Sequence, residues 1–257
     1  MSLYFDHNAT APLRDSAIRA WTDASASVWA NPSALYPSAL AAKAALERAR
    51  ETIAALLACT PGRIVFTSGA TEANNAVFSR FCGTGAPCAV SAIEHPSVIE
   101  GARAHFGQDV LILPVGAGGW IDIAGAAEII YEKRPALVSA MAANSETGVV
   151  QPWLEIASVC RECAVPFHCD AVQLFGRIPI GDIAARADYL TFSAHKIGGP
   201  RGVGILLVPP EDNRIHAQHG GRQEAGRRAG TENVAAILAA SAAFEEAAEE
   251  VSTGLAA

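Results

Sequence analysis

The chain has 257 residues, of which 51% are hydrophobic and 18% charged, and its formal net charge is −7. This composition is typical of a globular protein and excludes a disordered chain. The acidic balance gives no electrostatic footprint for nucleic acid or anionic lipid, and no apolar run approaches the roughly 20 residues of a membrane span. We therefore expect neither a nucleic-acid partner nor a membrane partner. The first residues lack the regions of a signal peptide, which favours a cytoplasmic protein.

Helical and strand-like segments alternate along the chain. Apolar residues recur at spacings of four and three between positions 42 and 56, and an alanine-rich segment at 235–248 also favours a helix. Seven short apolar runs predict strands at 64–67, 88–93, 110–115, 137–141, 165–169, 189–192 and 203–208. Because helical segments separate most of them, they predict an α/β fold whose mostly parallel sheet carries helices on both faces.

Six cysteines are present, and a cytoplasmic protein of this size is expected to keep them reduced. Cys160 and Cys163 form a CxxC motif of the kind that zinc and redox proteins use. They fall within a helical pattern, and no second CxxC or histidine pair stands at zinc-ligand spacing. The sequence favours a structural role for this pair over the metal or redox alternative, and no metal is expected.

A glycine-containing turn at 67–72 (TSGATE) follows the first predicted strand and opens a helical segment. Gly69 permits a tight turn, and the amides of Ala70 and Thr71 would point outward from the helix N-terminus. A helix start of this kind binds phosphate. An ordinary helix start capped by a serine or threonine is the alternative, and this segment alone does not exclude it.

Two later strand ends carry complementary reactive groups. Lys196 follows the strand at 189–192 and precedes Gly198 and Gly199, while Asp170 follows the fifth predicted strand. A lysine amine that condenses with an aldehyde and a carboxylate that pairs with a pyridine nitrogen are what pyridoxal phosphate (PLP) enzymes require. Asp170 alone would serve equally as a helix cap or salt-bridge partner. Together with the phosphate-binding turn, the two residues predict a PLP site.

Three further polar residues stand at or just after strand ends. Gln173 lies shortly after Asp170 and would reach the ring hydroxyl of the cofactor. Asn144 follows the fourth predicted strand and would donate there too, although simple turn chemistry explains it equally. His95 follows the second predicted strand, where it would stack on a cofactor ring and transfer protons near neutral pH. A structural histidine is the alternative for that position.

These motifs belong to a larger pattern that resembles the cysteine desulfurases of the class V aminotransferase family. The matching stretches run in family order over nearly the whole chain. They are 4–10 (YFDHNAT), 31–33 (NPS), 67–75 (TSGATEANN), 94–98 (EHPSV), 142–148 (AANSETG), 170–173 (DAVQ), 193–196 (SAHK) and 226–233 (GRRAGTEN). The resemblance implies the large domain of an aspartate aminotransferase-like PLP-dependent transferase, built on a seven-stranded sheet.

The resemblance also implies roles around the cofactor ring. Lys196 would hold PLP through its amine, and Asp170 would pair with the ring nitrogen. Gln173 and Asn144 would lie near the ring oxygen. His95 would stack on the ring and assist proton transfer, so Lys196 and His95 are the expected catalytic residues.

The phosphate of the cofactor would be held at the other end of the site. The resemblance assigns this role to Ala70, Thr71, Ser193 and His195 of the same subunit. Thr231 would complete the phosphate site from a second subunit, because family members are homodimers with active sites at the interface.

The activity that the resemblance implies is conversion of L-cysteine to L-alanine. Sulfur would leave as an enzyme persulfide and pass to a scaffold or carrier protein for iron–sulfur cluster or other sulfur-cofactor assembly. A selenocysteine lyase, another class V aminotransferase and a non-catalytic PLP-binding or dimerising fragment would share the same cofactor residues. Segments 144–148 and 226–233 favour the desulfurase, although Ser145 stands where an asparagine is common in the family.

The resemblance further implies that most of a small C-terminal domain is missing. Segment 1–12 would pack with that domain, residues 13–250 would form the PLP-binding large domain, and 251–257 would begin the truncated part. The missing part normally carries the mobile cysteine that accepts sulfur and an arginine that binds the substrate carboxylate. Cys169 neighbours Asp170, but strand alternation turns it away from the ring. We therefore expect a fragment or truncated chain that is inactive alone.

Overall fold

Seven short apolar runs become the strands of one sheet in a computed structural model, which describes residues 3–254. The strands are β1 (Ile64–Thr67), β2 (Cys88–Ser91), β3 (Val110–Leu113), β4 (Leu137–Ser139), β5 (Phe167–Asp170), β6 (Tyr189–Ser193) and β7 (Gly204–Leu207). Their order across the sheet is β1-β7-β6-β5-β4-β2-β3.

Helices cover both faces of this sheet. They are α1 (Asp15–Ser27), α2 (Pro37–Leu56), α3 (Ala70–Phe81), α4 (Pro96–Phe106), α5 (Ile123–Lys133), α6 (Trp153–Glu162), α7 (Ile183–Arg186) and α8 (Val234–Thr253). Short 3-10 turns lie at Pro61–Arg63, Ala194–Ile197 and Gln223–Gly226. Within residues 3–254, no helix combines the length and apolarity needed to cross a membrane. The helices predicted at 42–56 and 235–248 are confirmed within α2 and α8.

The direction of each strand follows from its connection. Strands β2, β3, β4, β5 and β6 pair in parallel, and α4, α5, α6 and α7 lie in the connections between them. Strand β7 follows β6 after only a short glycine-containing turn, so it returns antiparallel to β6 and also to β1. The predicted mostly parallel seven-stranded sheet is confirmed. The carboxyl ends of every strand except β7 therefore lie along one edge.

Side chains alternate between two hydrophobic layers. Phe66, Phe167 and Phe192 belong to a core shared with α2, α5, α6 and α8. Val65 and Val90 point to the opposite face and pack with α3 and α4. Because both faces are buried, the strands are apolar at nearly every position rather than at every second one.

All seven predicted strands are confirmed, but three of them end two residues earlier than the apolar pattern suggested. The ladders of β2, β3 and β4 stop at Ser91, Leu113 and Ser139. Beyond β4 the chain stays buried through Met141 although it no longer pairs as a regular strand. Apolar composition reports burial, and here burial continues after the backbone has left the sheet.

The CxxC pair lies at the end of α6. Cys160 is in the helix and Cys163 is its C-cap residue, and both are buried in the hydrophobic core. Burial raises the pKa of the Cys160 thiol, which makes it a poor thiolate. All six cysteines are free thiols, and in residues 3–254 no three His, Cys, Asp or Glu side chains cluster as metal ligands. Core packing is the role that the structure gives this pair.

The described part of the N-terminal segment, residues 3–12, runs along the carboxyl edge of the sheet. The amide of Ala11 donates to the carbonyl oxygen of His195 at 3.0 Å. Packing of this segment against a small domain stays a prediction, as do the proposed domain limits. Residues 1–2 and 255–257 of the predicted terminal segments lie outside the described residues.

Candidate active site

A cavity of about 610 Å³ opens at the carboxyl edge of the sheet. Strand ends from β1, β5 and β6 meet there with the N-termini of α3 and α4. Eight of the ten predicted site residues line it: Ala70, Thr71, His95, Asp170, Gln173, Ser193, His195 and Lys196. Sequence reasoning therefore located the cavity, and parallel strand direction explains why, since it brings distant strand ends to one edge.

Lys196 reaches the cavity from the 3-10 turn that follows β6. Its ammonium donates to the backbone carbonyl oxygens of Asn8 at 2.6 Å and Ala9 at 2.9 Å. Burial lowers the pKa of Lys196, and the nearby guanidinium of Arg177 lowers it further. An amine that gives up its proton more readily is a better nucleophile toward an aldehyde.

Asp170 ends β5 and is 6% exposed. Its Oδ2 accepts a hydrogen bond from Asn74 Nδ2 at 3.0 Å, and its Oδ1 accepts one from the amide of Val172 at 3.1 Å. Burial raises the pKa of this carboxyl despite those two donors. No cationic side chain in residues 3–254 forms an ion pair with it. A protonated pyridine nitrogen is a fitting counter-charge for such a group.

The glycine-containing turn at 67–72, which the sequence predicts to bind phosphate, leads directly into a helix. Helix α3 begins at Ala70, and no side chain hydrogen-bonds to its first amides. The alternative of an ordinary helix start capped by serine or threonine requires such a bond. The first amides of α3 therefore have no partner within the helix. A Cβ atom at Gly204 of β7 would lie 2.5 Å from the carbonyl carbon of Gly69, so only glycine permits the two backbones to approach. This end of the cavity fits a phosphate.

His195 and Ser193 flank that end of the cavity. The Nδ1 atom of His195 lies 3.1 Å from Thr10 Oγ1. Burial lowers the pKa of His195, and the charges of Lys196 and Arg201 lower it further. A neutral imidazole is therefore favoured, which donates one hydrogen bond without adding charge.

Gln173 supplies a buried acceptor beside the cavity. Its Nε2 donates to the carbonyl oxygen of Asn8 at 2.9 Å. Its Oε1 is buried and finds no hydrogen-bond donor within residues 3–254. A buried oxygen without a donor costs free energy, so this atom is suited to accept from a hydroxyl of a bound group. The residues present thus fit a ring hydroxyl as well as a phosphate and a pyridine nitrogen.

Two predicted site residues do not line the cavity. Asn144 lies in the turn after β4, where its Oδ1 accepts from the amides of Glu146 and Thr147 at 2.9 Å. Its Nδ2 donates to the carbonyl oxygen of Ile93 at 3.0 Å, so turn chemistry occupies the side chain. Thr231 is exposed on the loop before α8. Roles for Asn144 at the ring and for Thr231 across a subunit interface stay predictions.

Sequence reasoning missed several polar residues at this site, including Ser97. Thr10 and Arg201 line the cavity, and Asn74 lies beneath it against Asp170. Arg201 had a detectable signal, because it is a cation in the same glycine-rich loop as Lys196. Thr10 and Asn74 fall in the stretches 4–10 and 67–75 that carry the family resemblance, but only the fold brings them to these partners.

A larger groove of about 810 Å³ lies at the opposite edge of the sheet. Three of its polar groups bond one another, because Arg80 forms an ion pair with Asp212 at 2.8 Å and Tyr189 donates to the same carboxylate. The groove lies at the amino ends of β5 and β6, away from the predicted site residues. Ligands of open α/β sheets bind at the other edge.

Strand order, strand-end lysine, buried aspartate and phosphate-binding helix start together define the PLP-binding domain of an aspartate aminotransferase-like transferase. Comparison with known sequences narrows this class. The family described as aminotransferase class-V matches residues 3–253. The chain belongs to this family, whose cofactor is PLP.

Individual relatives agree with that assignment. The protein named cysteine desulfurase IscS from Dictyoglomus turgidum is 36% identical over 252 residues, which cover 95% of this chain. The mitochondrial cysteine desulfurase of Drosophila melanogaster is 39% identical over 238 residues, or 89% of this chain. The chain spans 63% of the length of the first protein and 51% of the second.

Solved structures match over nearly the whole chain. A structure described as a NifS-like protein has a TM-score of 0.92 at 34% identity, covering 98% of this chain and 71% of that one. A structure described as SspA in complex with cysteine has a TM-score of 0.88 at 33% identity, covering 95% of this chain and 72% of that one. The predicted large-domain fold is therefore confirmed.

Proposed function

We propose that this chain is the PLP-binding part of a cysteine desulfurase, which converts L-cysteine to L-alanine and transfers the sulfur as an enzyme persulfide. One observation carries the proposal: Lys196 and Asp170, on adjacent strand ends, line one cavity together with the N-terminus of α3. The relatives named cysteine desulfurase and the neighbour solved in complex with cysteine support L-cysteine as the substrate.

Each residue has a defined task in this proposal. When bound, PLP supplies an aldehyde that condenses with amines and a pyridinium ring that withdraws electrons. Asp170 would keep the ring nitrogen protonated, and Gln173 Oε1 would accept from the ring hydroxyl. Lys196 Nζ would hold the cofactor at its aldehyde and would move a proton at the substrate. His95 stacks on the ring and assists that proton transfer.

The start of α3 would hold the phosphate of the cofactor. The amides of Ala70 and Thr71 would donate to its oxygens, with hydrogen bonds from Ser193 and His195. A helix N-terminus also favours the phosphate charge. We propose that Thr231 reaches this site from the second subunit of a homodimer, which accounts for its exposure on a loop in the single chain.

The sulfur-accepting cysteine lies outside this chain in our proposal. All six cysteines are within the described residues and none lines the cavity. Cys169 lies in the hydrophobic layer that contains Phe167 and Phe192, as strand alternation predicts, and burial raises the pKa of its thiol. We therefore propose that the chain alone releases no sulfur from L-cysteine. In the whole protein, the persulfide passes to a scaffold or carrier for iron–sulfur cluster or other sulfur-cofactor assembly.

We propose a cytoplasmic location. Six free thiols support a reducing compartment, because oxidising compartments favour disulfides. Among the relatives are bacterial proteins and proteins named mitochondrial.

A PLP titration followed by visible absorbance tests the cofactor site. The chain should give a saturable band that disappears in Lys196→Ala and persists in Lys133→Ala, an exposed lysine of α5 outside the cavity. The same preparations should release no sulfide from L-cysteine. A wild-type chain without a saturable band, or an unchanged band in Lys196→Ala, would contradict the proposed site.

A further inference from the structure

A chain of hydrogen bonds runs beneath the cavity from Asp170 to His95. Asn74 of α3 is completely buried, and its Nδ2 lies 3.0 Å from Asp170 Oδ2 and 3.0 Å from Ser97 Oγ. Ser97 Oγ lies 2.8 Å from Nδ1 of His95. These residues come from β5, α3 and the start of α4. Neither Asn74 nor Ser97 is among the predicted site residues.

The donors and acceptors of this chain can be assigned one by one. A side-chain amide nitrogen only donates, and the two contacts of Asn74 use both of its hydrogens. Ser97 Oγ therefore accepts from Asn74 and has its own hydrogen left to donate. The neighbour positioned to receive it is Nδ1 of His95, which must then be unprotonated.

A second bond favours the same tautomer. The backbone amide of Ser97 also donates to Nδ1 of His95, at 3.1 Å. This donor cannot be reversed, so the assignment does not depend on which way the Asn74 amide is turned. A neutral imidazole with Nδ1 as acceptor carries its proton on Nε2.

The orientation of Asn74 follows from the charge of Asp170. With the amide reversed, Asn74 Oδ1 would face the Asp170 carboxylate, and two acceptors would meet in a buried place. With Nδ2 toward Asp170, the bond favours the ionised carboxylate and opposes the effect of burial on the pKa of Asp170. The carboxylate and the histidine tautomer are thus linked through one amide and one hydroxyl.

We propose that Asn74 and Ser97 are positioning residues that hold His95 in the Nε2–H tautomer and link it to the charge of Asp170. The catalytic meaning of the link rests on the proposed function, whereas the tautomer is a property of the chain itself. The ring of His95 therefore offers a donor at Nε2, while the hydroxyl and the backbone amide of Ser97 both face Nδ1.

Nitrogen-15 NMR of the full chain, without added PLP, tests the tautomer. Spectra recorded near pH 8 and assigned with His95→Gln should show His95 protonated on Nε2. Ser97→Ala removes the hydroxyl donor and should shift the tautomer ratio toward Nδ1–H by roughly 2- to 10-fold, the range for one hydrogen bond. Ser97→Thr should restore the ratio. Ser79→Ala, at an exposed position of α3, is the matched control and should leave it unchanged.

Asn74→Ala provides a second variant, because loss of the amide that donates to Ser97 Oγ leaves the hydroxyl free to turn away from His95. It should shift the ratio in the same direction as Ser97→Ala. Wild-type His95 protonated on Nδ1, or a Ser97→Ala spectrum identical to wild type, would overturn the proposal.

Adding PLP then separates this inference from the proposed function. The pH dependence of the cofactor absorbance should change in Ser97→Ala and return to wild type in Ser97→Thr. A missing PLP band in the wild-type chain would refute the cofactor site while the NMR result on the tautomer still stands. A normal band with the same pH profile in all variants would refute the link to Asp170.

Discussion

Acidification should destabilise this protein through His168. The imidazole is completely buried on β5 between Ser139 Oγ at 2.8 Å and Thr191 Oγ1 at 3.0 Å, and its ring contacts Phe78 edge-on at 6.3 Å between centroids. Burial lowers the pKa of His168 to about 3. An exposed histidine in the unfolded chain titrates near 6.5.

The sign and size of the effect follow from this difference. Below about pH 6.5, His168 binds a proton in the unfolded chain but not in the native protein. The free energy of unfolding therefore falls as the pH drops toward 3. At pH 5 the loss relative to neutral pH is about 2 kcal/mol, and it approaches about 5 kcal/mol below pH 3 as an upper bound.

Urea unfolding at pH 7 and pH 5 measures this term when it is compared with His168→Gln. Glutamine can still bond both hydroxyls but does not titrate, so its free energy of unfolding should fall by about 2 kcal/mol less between the two pH values. Other groups titrate equally in both proteins and cancel in the comparison. His219→Gln, at an exposed histidine, should behave as wild type. Parallel stability curves for wild type and His168→Gln would refute the reasoning.

Three further substitutions probe other parts of the structure. Burial raises the pKa of Glu94 to about 8. Its contribution to stability is therefore lost as the pH rises from about 4.5 through 8, and Glu94→Gln should flatten that loss in urea unfolding. An unchanged dependence of the unfolding free energy on pH would argue against this prediction. Arg50→Met should cost about 3–5 kcal/mol in the same assay, because it leaves Glu224 buried without the counter-charge that lies 2.7 Å away in the wild type. A cost below about 1 kcal/mol is the range of exposed ion pairs and would contradict a buried pair. Gly204→Ala should cost about 1–3 kcal/mol and weaken PLP binding, since its Cβ would lie 2.5 Å from the phosphate-binding turn. Gly62→Ala, with no atom near its Cβ, is the control, and equal PLP affinity in both variants would show that the turn can shift freely.

Much of the fold and the cavity could be predicted from local patterns. Apolar runs located all seven strands, and the glycine turn at 67–72 located the start of α3. Lys196 and Asp170 were predictable because strand ends of a parallel sheet meet at one edge, whatever their separation in sequence. Strand β7 is antiparallel because its connection to β6 is too short for a crossover helix. The apolar runs alone predicted the position of β7 but not its direction.

Asn144 shows where local patterns are ambiguous. A polar residue after a strand suits a ligand site and a turn equally, and here its amide bonds four backbone or side-chain groups of its own turn and of the chain after β2. The two roles use the same donor and acceptor atoms, so the sequence pattern alone does not separate them.

The sequence by itself determined the class of fold, the edge of the sheet where the cavity lies and eight of the residues that line it. These depend on the order of apolar and polar residues along the chain, which is a local property. The tertiary structure alone decided which polar atoms form hydrogen bonds with one another. Asn74 meets Asp170 across 96 positions and Ser97 across 23, and Lys196 meets Asn8 across 188. Hydrogen bonds act over about 3 Å, so pairs this distant in sequence are specified only once packing has placed the strands and helices that carry them.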